Sequence, residues 1–266
     1  MVVYDFEFDG QRLSELGMTI CSFGDKGLET VDNGSQVSFN TVSVLGGSLQ
    51  RKTSAVYEDC LEATIQICKY SCATDVKEIT PIELRQLTKW LNRKKFLKFK
   101  FLSNDYIDLY YEAKIDVSRI ELDGRLYGLE LNITTNRPFA LKEPRKILIN
   151  NAIKDGKHFI NDTSHEEGYI YPHTEITLVE GGKLTIYNAI ENRETIIENC
   201  VAGEVITMDY PIIKSNISSH DLNIQNDFNW KFFRIANTYN NSRNDLIISL
   251  PCIMKVEYSP IIKVGL

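Results

Sequence analysis

Alternation of hydrophobic and polar residues is the dominant pattern in the first half of the chain. The longest run extends from Ile107 to Val117, where every odd position is apolar and most even positions are charged. Shorter runs of the same kind occur at 4–8 and 61–67. A period of two places successive side chains on opposite faces, which predicts half-buried β-strands. Asp123-Gly124 predicts a hairpin turn that leads into a further strand at 127–133.

One segment with helical periodicity interrupts these strands and predicts a single α-helix at about residues 80–92. Thr80 is a suitable N-cap, Pro81 occupies the first helical position, and Glu83 can complete a capping box. The apolar residues that share one helical face are Leu84, Leu87, Trp90 and Leu91. A strand at Phe96–Phe101 follows directly. One helix among many strands favours a scaffold over an α/β enzyme, which would need many helices.

The segment from Asn136 to Pro144 contains two prolines and ends the first pattern, which predicts a boundary between domains 1–142 and 143–266. No helix is predicted after Lys146. Short strands separated by turn residues are expected instead, as is typical of a β-sandwich. They are predicted at 147–149, 176–179, 183–187, 195–197, 205–208, 222–224, 232–235, 246–250 and 254–258.

Composition narrows the classes of function. The 266 residues are 43% hydrophobic, which is enough for two buried cores, and carry a net charge of −6 that is spread over both halves. The chain has no basic arm, so direct sequence-specific binding of nucleic acid is not expected. No apolar stretch approaches the roughly 20 residues that span a bilayer, so no membrane partner is expected. No signal peptide is predicted from the N-terminal residues, and the six cysteines are expected to be free thiols of a protein assembled in the cytoplasm.

Neither the histidines nor the cysteines form a pattern that predicts a metal site. His158, His165, His173 and His220 are the histidines, and no two have helical ligand spacing. His165 lies beside two glutamates, which is read as a solvated acidic loop because zinc needs further converging ligands. Cys68 and Cys72 lack a second pair, so they are read as ordinary thiols. We therefore predict no metal and no cofactor.

The sequence also offers no catalytic residues. Acidic residues are abundant, but no pair is marked as the two opposed carboxylates that a glycosidase needs. Gly181-Gly182-Lys183 lacks the long glycine loop and the helix of a phosphate-binding motif, so a hairpin turn is expected there. There is no Gly-x-Ser-x-Gly motif. The protein is predicted not to be an enzyme.

Two groups of residues have both a structural and a binding interpretation. Trp230, Phe232 and Phe233 are expected to belong to a core strand, with a sugar-stacking surface as the alternative. The second group is a basic cluster after the helix, expected to be solvated. In a ring of subunits it would instead face an acidic neighbour or a DNA-filled lumen. The members of this cluster are Arg93, Lys94, Lys95, Lys98 and Lys100.

The order of several motifs resembles the distal tail protein (Dit) family of phages that have long non-contractile tails and infect Gram-positive bacteria. The motifs that carry the resemblance are Tyr4–Gly10 with Leu16-Gly17, Thr80–Leu91 with Phe96–Phe101, Pro138-Phe139-Ala140, Tyr171–Ile176 and Gly203–Asp209. Many relatives have proline and glycine near the last strands, whereas 226–235 has neither, so the shape of the last hairpin stays open.

The resemblance implies a mainly β fold. Residues 1–142 would form a β-sandwich or split-barrel belt domain with one helix, and residues 143–266 a galectin-like β-sandwich. It implies a homo-hexameric ring in the virion tail. That ring would join the major tail tube protein to the tail-tip protein of the baseplate, around the end of the tape measure protein. The family is not enzymatic. The alternatives are a carbohydrate-binding β-sandwich for attachment to the host cell wall and a β-fold hydrolase.

Overall fold

The computed structural model describes residues 4–24, 34, 36–43, 50–70, 77–238 and 240–265. The chain forms two compact units. Unit 1 contains residues 1–142 and 262–266, and unit 2 contains residues 143–261. Both units are built mainly from antiparallel β-strands, so the predicted fold class is confirmed.

Unit 1 is organised by one strongly curved sheet, in which the strands run in the order β2-β1-β7-β8-β9-β6-β3. The strands of this unit are β1 Phe6–Phe8, β2 Gln11–Arg12, β3 Met18–Cys21, β4 Val37–Ser43, β5 Gln50–Tyr57, β6 Glu62–Lys69, β7 Leu97–Phe101, β8 Leu109–Leu122, β9 Arg125–Thr135 and β10 Ala140–Lys142. Asp123 and Gly124 both have positive φ and form the expected turn between β8 and β9.

The two ends of this sheet meet. The N–H of Ile20 in β3 donates to the carbonyl of Tyr4 at 3.1 Å, and Tyr4 lies two residues before β1. The hydroxyl of Thr19 donates to the same carbonyl. The edge of β3 is therefore partly satisfied within the unit, as in a split barrel.

Helix α1 (Pro81–Leu91) begins as the sequence predicts. Thr80 and Glu83 form a complete capping box, and Pro81 is the first helical residue. The helix packs an aromatic residue into the core of unit 1: the ring of Trp90 stacks on that of Phe6 at 5.7 Å, and its Nε1–H donates to the carbonyl of Phe8 at 2.9 Å. Sequence periodicity thus located both the helix and its buried face.

Unit 2 is a β-sandwich with one five-stranded sheet, in the order β11-β21-β14-β17-β18, and one four-stranded sheet, in the order β12-β20-β15-β16. Aliphatic residues from both sheets form one core. The strands are β11 Arg145–Asn151, β12 Gly156–Asn161, β13 Gly168–Ile170, β14 His173–Leu178, β15 Gly182–Asn188, β16 Arg193–Cys200, β17 Val205–Asp209, β18 Ile212–Ser215, β19 Ile235–Asn237, β20 Arg243–Ile248 and β21 Cys252–Tyr258; β22 is Ile261–Ile262.

Three local predictions for unit 2 are wrong. The expected strand at 222–224 lies instead between two short helices, α2 (Ser218–Asp221) and α3 (Ile224–Asp227), so helices do occur after Lys146. The run at 232–235 is irregular until β19 begins at Ile235, because Phe232 and Phe233 are buried without pairing as a strand. The Gly181-Gly182 turn joins β14 to β15, which belong to different sheets, so it is not a hairpin turn.

The last residues of the chain return to unit 1. Strand β22 pairs with β10, Ile262 is buried in the first core, and the hydroxyl of Tyr111 donates to the carbonyl of Gly265 at 2.7 Å. The structure therefore assigns residues 262–266 to unit 1, whereas the sequence placed them in the second domain. Two or three apolar residues at the end of a chain carry too weak a pattern to show which core they join.

Candidate functional site

The most exposed regular element in the described residues is the hairpin of β4 and β5, which we call the ribbon. These two strands pair only with each other, as a separate two-stranded sheet. Nearly every side chain of β4 and β5 is exposed. A two-stranded hairpin without a covering layer is marginally stable in water. The ribbon therefore has the geometry of an element that completes its packing on another surface.

Both faces of the ribbon carry exposed hydrophobic side chains. Val37 and Phe39 share one face because they are two residues apart in β4. Val42 lies on the opposite face together with Ser38, and Val56 shares that face because it pairs with Ser38. These four side chains are between 44% and 59% exposed. Isolated exposed hydrophobic residues are ordinary, but here each face of one short element carries two of them.

The charge of the ribbon differs from that of the chain. Residues 36–57 contain Arg51 and Lys52 and no acidic residue, whereas the whole chain has a net charge of −6. The Lys52 ammonium lies 4.8 Å above the ring of Phe39. At the base of the ribbon, the rings of Tyr57 and Phe139 meet edge to face at 6.4 Å. The ribbon is thus attached to unit 1 at its base and presents an apolar, cationic surface along its length.

Sequence reasoning missed the ribbon. The alternation in β4 and β5 is short, and its exposed positions include threonine, serine and asparagine, so no face is marked as a core face. The signal that could have located it is the absence of acidic residues over 22 positions of an acidic chain.

The basic cluster that was singled out from the sequence lies at the end of α1 and on β7. Arg93 pairs with Asp9 at 3.1 Å, and the Lys98 ammonium lies 4.6 Å above the ring of Tyr110. Lys94 lines a shallow groove along α1 together with Lys89 and Arg119. The cluster is a solvated helix end that already has local partners.

The four histidines lie in different surroundings. His165 and His173 are exposed, His158 contacts Asn151 Oδ1 at 2.9 Å, and His220 is buried. Cys72 lies outside the described residues, as does its relation to Cys68. Among the residues that the structure describes, no group of three or more potential metal ligands converges.

A buried polar network explains one of the sequence motifs. Glu204, from the Gly203–Asp209 motif, is completely buried and accepts hydrogen bonds from the N–H of Val201 and the hydroxyl of Ser215. Its Oε1 lies 2.5 Å from His220 Nδ1, and Asp227 Oδ2 lies 3.5 Å from His220 Nε2. The network attaches α2 and α3 to the sheet. Its role is therefore structural, since a buried carboxylate is tolerated only when it is paired and hydrogen-bonded.

The three aromatic residues that were considered as a sugar-stacking surface differ in burial. Phe232 and Phe233 are buried in the core of unit 2, as the core interpretation predicted, whereas Trp230 is 57% exposed and has a positive φ of 58°. The backbone there is held by Asn229, which bonds to the N–H of Lys231 and the carbonyl of Glu194. These three residues therefore do not form one sugar-stacking surface.

No helix in the described part of the chain is long and apolar enough to span a membrane.

Comparison with known proteins identifies the class to which this fold and surface belong. A family model described as a phage tail protein N-terminal domain matches residues 1–137, and one described as a phage tail C-terminal domain matches residues 139–258. The chain therefore belongs to this family of phage tail proteins. No curated protein matches the chain.

The same architecture occurs in a solved structure, the SPP1 Dit (gp 19.1) protein, described as a paradigm of the hub adsorption apparatus in phages that infect Gram-positive bacteria. The two are 12% identical, with a TM-score of 0.61 over 97% of this chain and 99% of that one. The likeness shows a shared fold. The family models show that the chain is a phage tail protein, and the shared fold agrees with the resemblance to distal tail proteins that the sequence indicated.

Proposed function

We propose that the protein is the structural hub at the distal end of a phage tail, where it forms a homo-hexameric ring. The ring joins the major tail tube protein to the tail-tip protein of the baseplate and surrounds the end of the tape measure protein. It is assembled in the bacterial cytoplasm and becomes part of the virion tail. In this proposal unit 1 (residues 1–142 and 262–266) forms the ring, unit 2 (residues 143–261) supplies a second domain outside it, and the protein catalyses no reaction.

The observation that carries the proposal is the uncovered ribbon. Within the described residues its two strands pair only with each other, and its valines and Phe39 are exposed on both faces. In a closed ring, each copy contributes one surface to the copy before it and another to the copy after it. The ribbon of one copy would lie on the next, which covers the hydrophobic side chains and satisfies the strand edges. Arg51 and Lys52 favour an acidic receiving surface, which an overall acidic chain can provide.

The shared fold with a protein described as part of a hub adsorption apparatus supports the same role. The alternative of a carbohydrate-binding module loses the surface first considered for it, because Phe232 and Phe233 are buried.

The test is the mass of the purified protein, measured by sedimentation and by electron microscopy, alone and with the tail tube protein. We expect six-membered rings. The double substitution Phe39→Asp and Val42→Asp should abolish them, because it places charge on both faces of the ribbon. Leu148→Asp is the matched control, since Leu148 is 67% exposed on unit 2 and should leave the rings intact. A wild-type protein that stays monomeric at high concentration, and forms no ring with the tube protein, would overturn the proposal.

A further inference from the structure

Unit 2 carries a cluster of aromatic side chains that no proposed assembly contact uses. We call Tyr169, Tyr171, Tyr210 and Arg234 the tyrosine patch. Tyr171 stacks on Tyr210 with ring centroids 4.1 Å apart and an interplanar angle of 7°, and it meets Tyr169 at 5.4 Å and 71°. Tyr169 and Tyr210 are each 55% exposed. The patch therefore offers two aromatic surfaces to solvent, both in contact with Tyr171.

The rings are held in place from beneath. Tyr210 packs edge to face on the buried ring of Phe232 at 5.3 Å. The guanidinium of Arg234 lies 3.8 Å above the ring of Tyr169. That guanidinium is itself fixed by Glu191, through Nε–H to Oε2 at 2.8 Å and Nη2 to Oε1 at 2.6 Å. Both partners of this ion pair are less than 20% exposed. A ligand would meet rings that are already ordered, so little entropy is lost when it binds.

The size of the patch favours a small ligand over a folded protein. A tyrosine side chain buries about 150–250 Å² at most, so two half-exposed rings and part of a third offer on the order of 300 Å². A specific protein interface needs about 800 Å² per partner. An exposed patch of about 300–600 Å² is often functional in its own right.

The charge of the patch indicates which small ligand fits. Glu191 neutralises Arg234, so the patch has no net positive charge with which to attract phosphate groups. What remains is apolar ring surface, phenolic hydroxyls and the edges of a neutral ion pair. A sugar ring combines an apolar C–H face with a rim of hydroxyl groups, and it is complementary to both features.

We propose that the tyrosine patch binds a neutral saccharide. Sugar rings would stack on the face of Tyr169 opposite Arg234 and on the face of Tyr210 opposite Tyr171, while their hydroxyl groups hydrogen-bond to the tyrosyl hydroxyls. This binding does not depend on ring assembly, because all of these residues lie in unit 2. It places recognition at Tyr169 and Tyr210 rather than at Trp230.

The experiment uses the full-length protein on an array of neutral and phosphate-containing bacterial surface glycans, followed by calorimetry with the best neutral oligosaccharide. We expect binding to at least one neutral glycan, weakened at least about tenfold by Tyr169→Ala and by Tyr210→Ala. Tyr169→Phe should retain most of the affinity, because the ring remains. Phe159→Ala is the matched control, because Phe159 is 54% exposed beneath the Arg243 guanidinium at 4.4 Å and is not a member of the tyrosine patch.

Circular dichroism of each variant separates loss of binding from loss of folding, and Tyr169→Phe provides a second test if the alanine variant unfolds. Three results would overturn the proposal: no neutral glycan binds, only phosphate-containing glycans bind, or Phe159→Ala weakens binding as much as Tyr169→Ala does.

Discussion

The two units bury different kinds of side chains. The core of unit 1 is centred on aromatic rings, including Phe6, Trp90 and Phe99. The core of unit 2 is mainly aliphatic but encloses polar groups: of the nine buried polar or charged residues in the described part of the chain, only Thr135 lies in unit 1. Unit 2 thus encloses most of the buried polar residues in networks of hydrogen bonds, whereas unit 1 leaves a hydrophobic ribbon uncovered.

This difference suits unit 2 to fold by itself and unit 1 to assemble with another protein. In unit 2, Asn244 accepts from the N–H of Ala236 and from Asn188 Nδ2, and donates to the carbonyl of Ala236. Such a network fixes one arrangement of the sandwich, because each unpaired buried group would be costly. The corresponding unsatisfied surface of unit 1 is apolar and lies outside, where a second protein can cover it.

The largest effect is expected from breaking the polar network of unit 2. Glu204→Ala should lower the free energy of unfolding of unit 2 by about 3–5 kcal/mol, because it removes one partner of a buried pair and strands His220, Ser215 and the N–H of Val201. Native-state hydrogen exchange resolves the two units and should show the loss in unit 2 alone. Equal loss in both units would contradict the separation described here.

A smaller effect is expected in the aromatic core of unit 1. Trp90→Phe should cost roughly 1–3 kcal/mol, because the carbonyl of Phe8 loses its donor while an aromatic ring still occupies the site. Urea unfolding, followed by the exchange of peptides from unit 1, measures this cost. A loss as large as that of Glu204→Ala would mean that the two cores do not differ in the way proposed.

Alkaline pH should destabilise unit 2 through its buried thiols. Burial raises the pKa of Cys252 to about 11 and is the main cause that raises the pKa of Cys200 to about 12. Since unfolded thiols ionise near pH 8.5, the stabilisation is complete below that pH and is lost as pH rises through 11–12. Unfolding measured between pH 8 and 11 should show a shallower decline for Cys252→Ala. Cys60→Ala, at an exposed position, should leave the slope unchanged.

The smallest effect is expected at the surface. Arg125 pairs with Glu78 at 2.8 Å in unit 1, and both side chains are well exposed. Arg125→Ala should leave the free energy of unfolding almost unchanged, because water and salt screen such pairs. Thermal unfolding at low and high salt provides the measurement. A loss as large as that of Trp90→Phe would show that exposed charges, as well as the core, distinguish the units.

The sequence predicted elements whose signals are local. Helix α1 was located because its capping box and apolar face lie within twelve residues, and the β8–β9 hairpin because Asp123-Gly124 requires positive φ. The two-fold alternation of unit 1 and the closely spaced strands of unit 2 also gave the correct fold class. The predicted strand at 222–224 failed because Ile224 is a single buried residue in a helical turn, which short-range patterns do not resolve.

The surfaces could not be predicted because they depend on contacts between distant residues. Tyr171 and Tyr210 are 39 positions apart, and nothing in either neighbourhood shows that their rings stack. Glu204 was recognised only as part of a motif, and its pairing with His220 became evident from the fold. The ribbon was overlooked because exposed hydrophobic residues on a polar strand resemble ordinary surface positions.

The pairing of β10 with β22 has a consequence for how such proteins can change. The chain leaves unit 1 after Lys142 and re-enters it at Ile262, and these two positions belong to adjacent hydrogen-bonded strands. Unit 2 is therefore an insertion between two neighbouring strand ends, which a short loop could join directly. A tail built from this scaffold can exchange the inserted module for another while the host unit keeps its own hydrogen bonds.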